Sequence, residues 1–288
     1  MPNIRLRKKR DVTPFRKIAI GTWRDAYDPS VYGYMTLDVD PALRYIEAFR
    51  RHYNKHLTMT HLVAKATAAS LAACPEANAI LRWNRIYLRE TIDISLQVVI
   101  AEDGDASQAD LSVVKVPEAD RKSLLEMIDL IETRVRKIRS RQDEELEHTR
   151  QSMRWVPFLC MNLFMRTLSV LLYTFNLDLR WAGLPRDPFG SAFVTSIGSI
   201  GLEAAFVPLV PYSRVPLLVA PGAVREEAVV RDGELTVGHR MTLAATFDHR
   251  LLDGYHASVL SRTFRAWFEH PFEHFDPVPE PATEDKAT

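Results

Sequence analysis

The chain has 288 residues, of which 47% are hydrophobic and 26% charged. That suffices for one or two packed domains and excludes disorder as the main state. Lys+Arg and Asp+Glu both number 37, so the net charge is zero and nothing in the overall charge points to nucleic acid. Cys74 and Cys160 lie in apolar surroundings with no zinc-type spacing. They predict packed thiols in a reducing compartment, with neither a disulfide framework nor a metal site.

The N-terminus carries Arg5, Arg7, Lys8, Lys9 and Arg10 without the apolar run of a signal peptide. Residues 1–12 therefore read as a solvated basic arm, with a contact to acidic lipid or a partner as the alternative. A cytoplasmic location is expected. Asp40-Pro41 opens a helix, Asp40 as cap, and Leu43, Ile46, Phe49 and Tyr53 form its buried stripe. An Ala-rich helix follows from about Thr60 and stops before Pro75. Alternation from Ile92 to Ile100 marks a strand buried on one face. Leu124, Ile128, Ile131, Val135 and Ile138 then mark a long helix that fades into a polar stretch, 140–151.

From Trp155 to Leu177 the single formal charge is Arg166, over nearly the length needed to cross a bilayer. Arg166, Pro157 and the polar Asn162, Thr167, Ser169 and Thr174 argue against a span. A buried or interface helix is the favoured reading, and contact with a membrane surface is the second. The last third reads as strands with one closing helix. Asp232-Gly233 turns a hairpin, Met241 to Phe247 alternate as a strand, and Tyr255 to His270 carry a helical stripe. Residues 277–288 read as a disordered tail. Helices and strands interleave without regular βαβ alternation, which predicts an α+β fold with a mixed sheet. The expected organisation is one domain, 13–276, with an apolar helical insertion around 141–187.

The sharpest motif is Asp248-His249-Arg250-Leu251-Leu252-Asp253-Gly254, between the last strand and the closing helix. A histidine at such a junction can be aimed into a cleft, Asp253 can cap the helix or fix a loop charge, and Gly254 allows a tight bend. With its flanks, Thr246 to Gly254 resembles the active-site signature of the dihydrolipoamide acyltransferases, the catalytic cores of 2-oxoacid dehydrogenase complexes. Chloramphenicol acetyltransferase shares their fold but has a second histidine where this chain has Asp248. Other segments resemble the family in the same order: Phe15 to Ala19, Cys74 to Asn78, Thr91 to Ser95, Ala192 to Gly201 and Pro211 to Val230. The likeness covers about residues 13–140 and 188–272. It implies a two-layer sandwich of the chloramphenicol acetyltransferase type.

The resemblance also implies chemistry. Acyl transfer to a thiol needs a base near neutral pKa, and His249 suits that task. The oxyanion needs a preplaced donor. In the family this is a side-chain hydroxyl, placed here at Thr195, or at Ser196 if the register slips by one. Asp253 is expected to pair with an arginine near the chain start, for which Arg16 is the candidate, and so to hold the histidine loop. Coenzyme A or its acyl thioester is the implied substrate, and a homotrimer, with a cubic assembly beyond it left open, is the implied unit. Family members carry lipoyl domains before the core, whereas this sequence starts almost at the core. Asp285-Lys286-Ala287 resembles the tripeptide around a lipoylated lysine, but no strand follows it, so no lipoyl group is expected on this chain. The acceptor is then a lipoyl group on a partner protein or another thiol. Two further readings remain: a catalytically silent scaffold, with 155–177 as its adhesive surface, and an antibiotic-type O-acetyltransferase.

Overall fold

The computed structural model describes residues 2–8, 28–100, 110–140, 142–143, 147, 157, 160–231 and 233–279. A six-stranded mixed sheet carries the fold. Its strands are β2 (Ser30–Asp38), β5 (Ile94–Ile100), β6 (Asp110–Val116), β7 (Ala192–Thr195), β8 (Leu217–Arg231) and β9 (Glu234–Asp248), in the order β2-β9-β8-β7-β5-β6. β7 runs parallel to both its neighbours and the other pairs are antiparallel. β1 (Leu6–Lys8), β3 (Ala79–Arg82) and β4 (Arg85–Arg89) form a second, three-stranded sheet in the order β1-β4-β3.

Helices α1 (Asp40–Tyr53), α2 (Met59–Ala73), α3 (Leu124–Arg139) and α5 (Gly254–Glu269) share one core with the large sheet, and the four-residue α6 (Pro271–His274) follows α5. The alternation read from the sequence explains the layering. Ala192, Val194, Leu217, Val219, Leu243 and Phe247 enter the helix-side core, while Phe193, Leu218 and Ala244 point to the opposite face. The small side chains of α2 let it sit at the centre: Val63, Ala64, Ala66 and Ala68 are fully buried. α3 starts with a capping box, in which Ser123 Oγ accepts from the Glu126 N–H and Glu126 accepts from the Ser123 N–H.

Three expectations change. Asp40 is the first residue of α1 and not its cap, because its carboxylate faces Arg231 and His239 Nδ1 instead. Cys160 is exposed, whereas Cys74 is buried as expected. Residues 2–8 are not a solvated arm. Leu6–Lys8 pair with β4, Ile4 is buried against Ile80, Leu172 and Tyr173, and the Ile4 N–H donates to Asn176 Oδ1 at 2.7 Å. Apolar contacts and backbone pairing outweigh the hydration of the basic side chains, which remain at the surface of β1. Residues 9–12 lie outside the described residues. So do 280–288 of the predicted tail, while the carbonyl of Pro277 accepts from Tyr53 Oη at 3.1 Å.

The apolar segment folds as α4 (Met161–Ser169) and a π-helical turn, Val170–Thr174. Asn176, at φ 56°, ends it. No helix among the described residues is long and apolar enough to cross a membrane. Buried polar contacts stitch this segment to the rest: Arg82 Nε donates to Thr174 O at 2.5 Å, Arg89 pairs with Asp187 at 2.6 Å, and Arg186 Nε donates to Asn3 O at 2.7 Å.

His61, in the first turn of α2, accepts the Thr58 N–H on Nδ1 at 3.1 Å, a contact that requires a neutral ring. Burial, aided by the charges of His56 and Arg50, lowers its pKa to about 4. The unfolded chain therefore takes up a proton near pH 6.5 that the native state refuses until about pH 4. Stability is full above pH 6.5 and falls by roughly 2–3 kcal/mol as the pH drops to 4. Urea unfolding across that range is expected to show the slope, and His61→Gln to flatten it.

Candidate active site

β9 delivers His249 to one end of the sheet. The His249 N–H donates to Pro29 O just before β2, and the Asp248 N–H donates to Pro216 O just before β8. The loop that follows is tight: the N–H groups of Leu251 and Leu252 both donate to Asp248 O at 2.9 Å. Leu251 and Leu252 are buried in the helix-side core and anchor the loop. The half-buried His249 faces Leu252 O through Nδ1 at 2.8 Å. A carbonyl only accepts, so Nδ1 carries the hydrogen and Nε2 keeps its lone pair. The Asp248 carboxylate is buried and bound by Arg250, through Nε at 2.9 Å and Nη2 at 2.6 Å.

Asp253 caps α5. Its Oδ1 accepts from the N–H groups of Tyr255 at 3.0 Å and His256 at 3.2 Å, and from His256 Nδ1 at 2.7 Å. The other side of the His256 ring reaches Glu76 Oε2 at 3.2 Å, in the turn after α2. Glu76, His256 and Asp253 thus tie the loop to the helix layer. Neither Glu76 nor His256 was assigned a role from the sequence. The available signal was the spacing of Asp253 and His256, residues N-cap and N3 of a helix that can bond reciprocally. Arg16, the expected partner of Asp253, lies outside the described residues. Gly254 does not make the expected bend: it begins α5 without a positive φ, and a Cβ there would meet nothing within 4 Å.

Thr195 ends β7 and is half-buried, and so is Ser196, whose carbonyl accepts from Ser199 Oγ at 2.6 Å. The chain leaves β7 against a bulge in β8, where the Ile197 N–H donates to Pro221 O at 3.1 Å. The backbones approach so closely that a Cβ on Gly198 would collide with the Gly222 carbonyl, and one on Gly222 with the Glu203 carbonyl. This contact fixes the segment carrying both hydroxyls.

The sheet register separates these hydroxyls from His249. Val194 lies opposite Val219, and Val219 opposite Ala245, so Thr195 is level with Ala244. His249 sits five residues further along and two strands away. At about 3.3 Å per residue and 4.8 Å per strand, they stand roughly 19 Å apart within one chain. The fold thus brings together His249, Asp253 and Gly254, and places Thr195 and Ser196 elsewhere on the sheet.

The Asp253–His256 bond has a measurable worth. His256→Ala removes the bridge to Glu76 but leaves Asp253 as the helix cap, and is expected to cost about 1 kcal/mol. Asp253→Ala removes the cap and the bond to His256 and is expected to cost about 1–3 kcal/mol. In urea unfolding, the double-mutant cycle is expected to give a coupling of at least ~0.5 kcal/mol.

The sequence matches a model of the 2-oxoacid dehydrogenases acyltransferase (catalytic domain) over residues 7–153 and 186–275, leaving 154–185 between the two matched parts. It is 24% identical over 222 residues to the dihydrolipoyllysine-residue acetyltransferase component of the acetoin cleaving system of Bacillus subtilis (strain 168), covering 76% of this chain and 43% of that protein. The chain therefore spans less than half the length of that relative. A solved dihydrolipoamide acetyltransferase of Azotobacter vinelandii superposes with a TM-score of 0.61 at 19% identity, covering 92% of this chain and 93% of the other. That structure concerns the roles of a serine, a histidine and an asparagine in its catalytic mechanism. Chloramphenicol acetyltransferase superposes with a TM-score of 0.51 at 13% identity, covering 92% of this chain and all of the other. Both likenesses place the chain in the chloramphenicol acetyltransferase fold. With four-fifths of its length matched by the family, the chain belongs to the acyltransferase catalytic-domain family of the 2-oxoacid dehydrogenases.

Proposed function

We propose that this chain is an acyltransferase that moves an acyl group between coenzyme A and a thiol acceptor, with His249 as general base. The observation that carries this is the Nδ1 contact to Leu252 O, which leaves Nε2 as the basic atom. Nε2 takes the proton of the attacking thiol, and the thiolate adds to the thioester carbonyl. The oxyanion accepts a hydrogen bond from the hydroxyl of Thr195, or of Ser196. The intermediate then collapses, the C–S bond to the leaving thiol breaks, and the imidazolium returns its proton to that thiolate. A serine and a histidine were studied for their role in the catalytic mechanism of the Azotobacter enzyme, which is in keeping with a hydroxyl and a histidine acting here. The acceptor is a dihydrolipoyl group, borne by a partner protein, or a thiol of similar reach.

The active unit has more than one chain. An oxyanion donor must come within about 3 Å of the reacting oxygen, and the register leaves Thr195 and His249 of one chain far beyond that. We assign the two to facing subunits of a homotrimer, a closed ring in which two different surfaces meet. Against a silent scaffold stand the oriented His249 and the clamped Thr195 segment, two features that assembly alone does not require.

His249→Ala is expected to lower acyl transfer by roughly 10²–10⁴ with the fold intact. Thr195→Ala is expected to cost about 10²–10³ in kcat with little change in KM. Damage by Ser196→Ala with a silent Thr195→Ala moves the donor to Ser196. Because the roles fall on different chains, trimers mixed from His249→Ala and Thr195→Ala subunits are expected to regain activity that neither variant has alone. No recovery on mixing would overturn the shared site.

A further inference from the structure

The segment between the two parts that match the family builds one side of a cavity. Its volume is about 690 Å³, within the range of sites that take small molecules. Met165, Leu168 and Leu172 of that segment face Leu130 and Ile138 of α3, and the β6 edge adds Val113. These walls are apolar. Two other lining residues, Ser112 and Tyr173, carry buried hydroxyls with no hydrogen-bond partner among the described residues. A buried hydroxyl left so costs about 1–3 kcal/mol, which an oxygen acceptor on a ligand would relieve.

The charges of the lining narrow the ligand further. Lys115, Arg134, Arg180 and Arg186 line the cavity against a single carboxylate, Asp143. Arg134 faces Asp143 at 3.4 Å, Lys115 faces Asp93 at 3.7 Å and Arg180 is paired with Asp178 at 2.7 Å, which leaves Arg186 as the surplus cation among the described residues, its Nε donating to Asn3 O. This lining suits an oxygen-bearing head group, charged or polarised, on a long apolar body.

The sheet places the cavity near the proposed chemistry. Thr195 lies opposite Gln97, and Gln97 opposite Val113. Registered neighbours share a face, so Val113 stands on the Thr195 face, two strands away, or about 10 Å. A carboxylate held in the cavity therefore lies about 10 Å from Thr195 and is not the carbonyl that reacts there.

We propose that this cavity binds a medium-length unbranched acyl chain ending in a carboxyl-derived oxygen. The occupant is a free carboxylic acid, whose carboxylate meets the unpartnered hydroxyls.

Calorimetric titration of the full chain with decanoate tests the site without any turnover. Saturable binding of one decanoate per chain is expected, at least tenfold weaker in Met165→Trp, which fills the cavity. Tyr173→Phe removes one unpartnered hydroxyl, and is expected to weaken decanoate several-fold without lowering the melting temperature. Absence of saturable binding by wild type, or unchanged affinity in both variants, overturns the proposal. The kinetic arm tests the free acid against the thioester. Met165→Trp is expected to affect turnover of decanoyl-CoA and acetyl-CoA alike, and a loss confined to decanoyl-CoA would overturn the free acid. Failure of the acyl-transfer reading shows as no turnover with either thioester by wild type, and leaves the decanoate titration standing.

Discussion

One backbone carbonyl sets the orientation of His249. Leu252 O accepts from His249 Nδ1, and the position of that oxygen is fixed by two buried leucines and a helix cap. The histidine thereby has one tautomer, with the hydrogen on Nδ1. The elements around the loop serve that orientation. β2 and the segment before β8 hold the strand end, Asp248 and Arg250 neutralise each other beside it, and Glu76 reaches it through His256. Chemistry that needs a histidine within a few tenths of an ångström is thus supported by packing, not by the loop alone.

The sheet imposes the complementary constraint. β7 and β9 lie two strands apart, and the pleat fixes every residue to a row and a face. Thr195 cannot be brought to His249 by any side-chain rotation. In the proposed mechanism a pair divided across a rigid sheet is completed by a second copy, which would make assembly and activity one property.

Much of this was legible in the sequence. The 4-3-4-3 spacing of Leu124 to Ile138 and the alternation of Met241 to Phe247 each answer to one dominant force, burial of one face; the first gave a helix close to its true bounds, the second only the C-terminal half of β9, which begins at Glu234. His249 and Asp253 were legible because their neighbours on both sides form an ordered pattern. The N-terminal strand was not. Its charges mark a solvated chain, and the partner that orders it, β4, lies some eighty residues on. The same holds for Glu76: its partner His256 is 180 residues distant, and no local periodicity encodes such a contact. Asp40 shows a milder case, where two distant partners, Arg231 and His239, redirect a side chain that local rules assign to a cap.

The buried Arg89–Asp187 pair has a consequence for how this protein can be handled. The ends of the chain are commonly regarded as places to trim or tag. Here the Asp187 N–H donates to Asn3 Oδ1, and Arg186 donates to Asn3 O, so the third residue of the chain buttresses an ion pair in the interior. Shortening the N-terminus by a few residues would leave the buried Asp187 N–H without its acceptor, a loss of about 1–3 kcal/mol, beside the ion pair. Residues 2–8 act as a keystone between the inserted segment and the small sheet. A recombinant form of this chain keeps them, and carries any affinity handle at the other end.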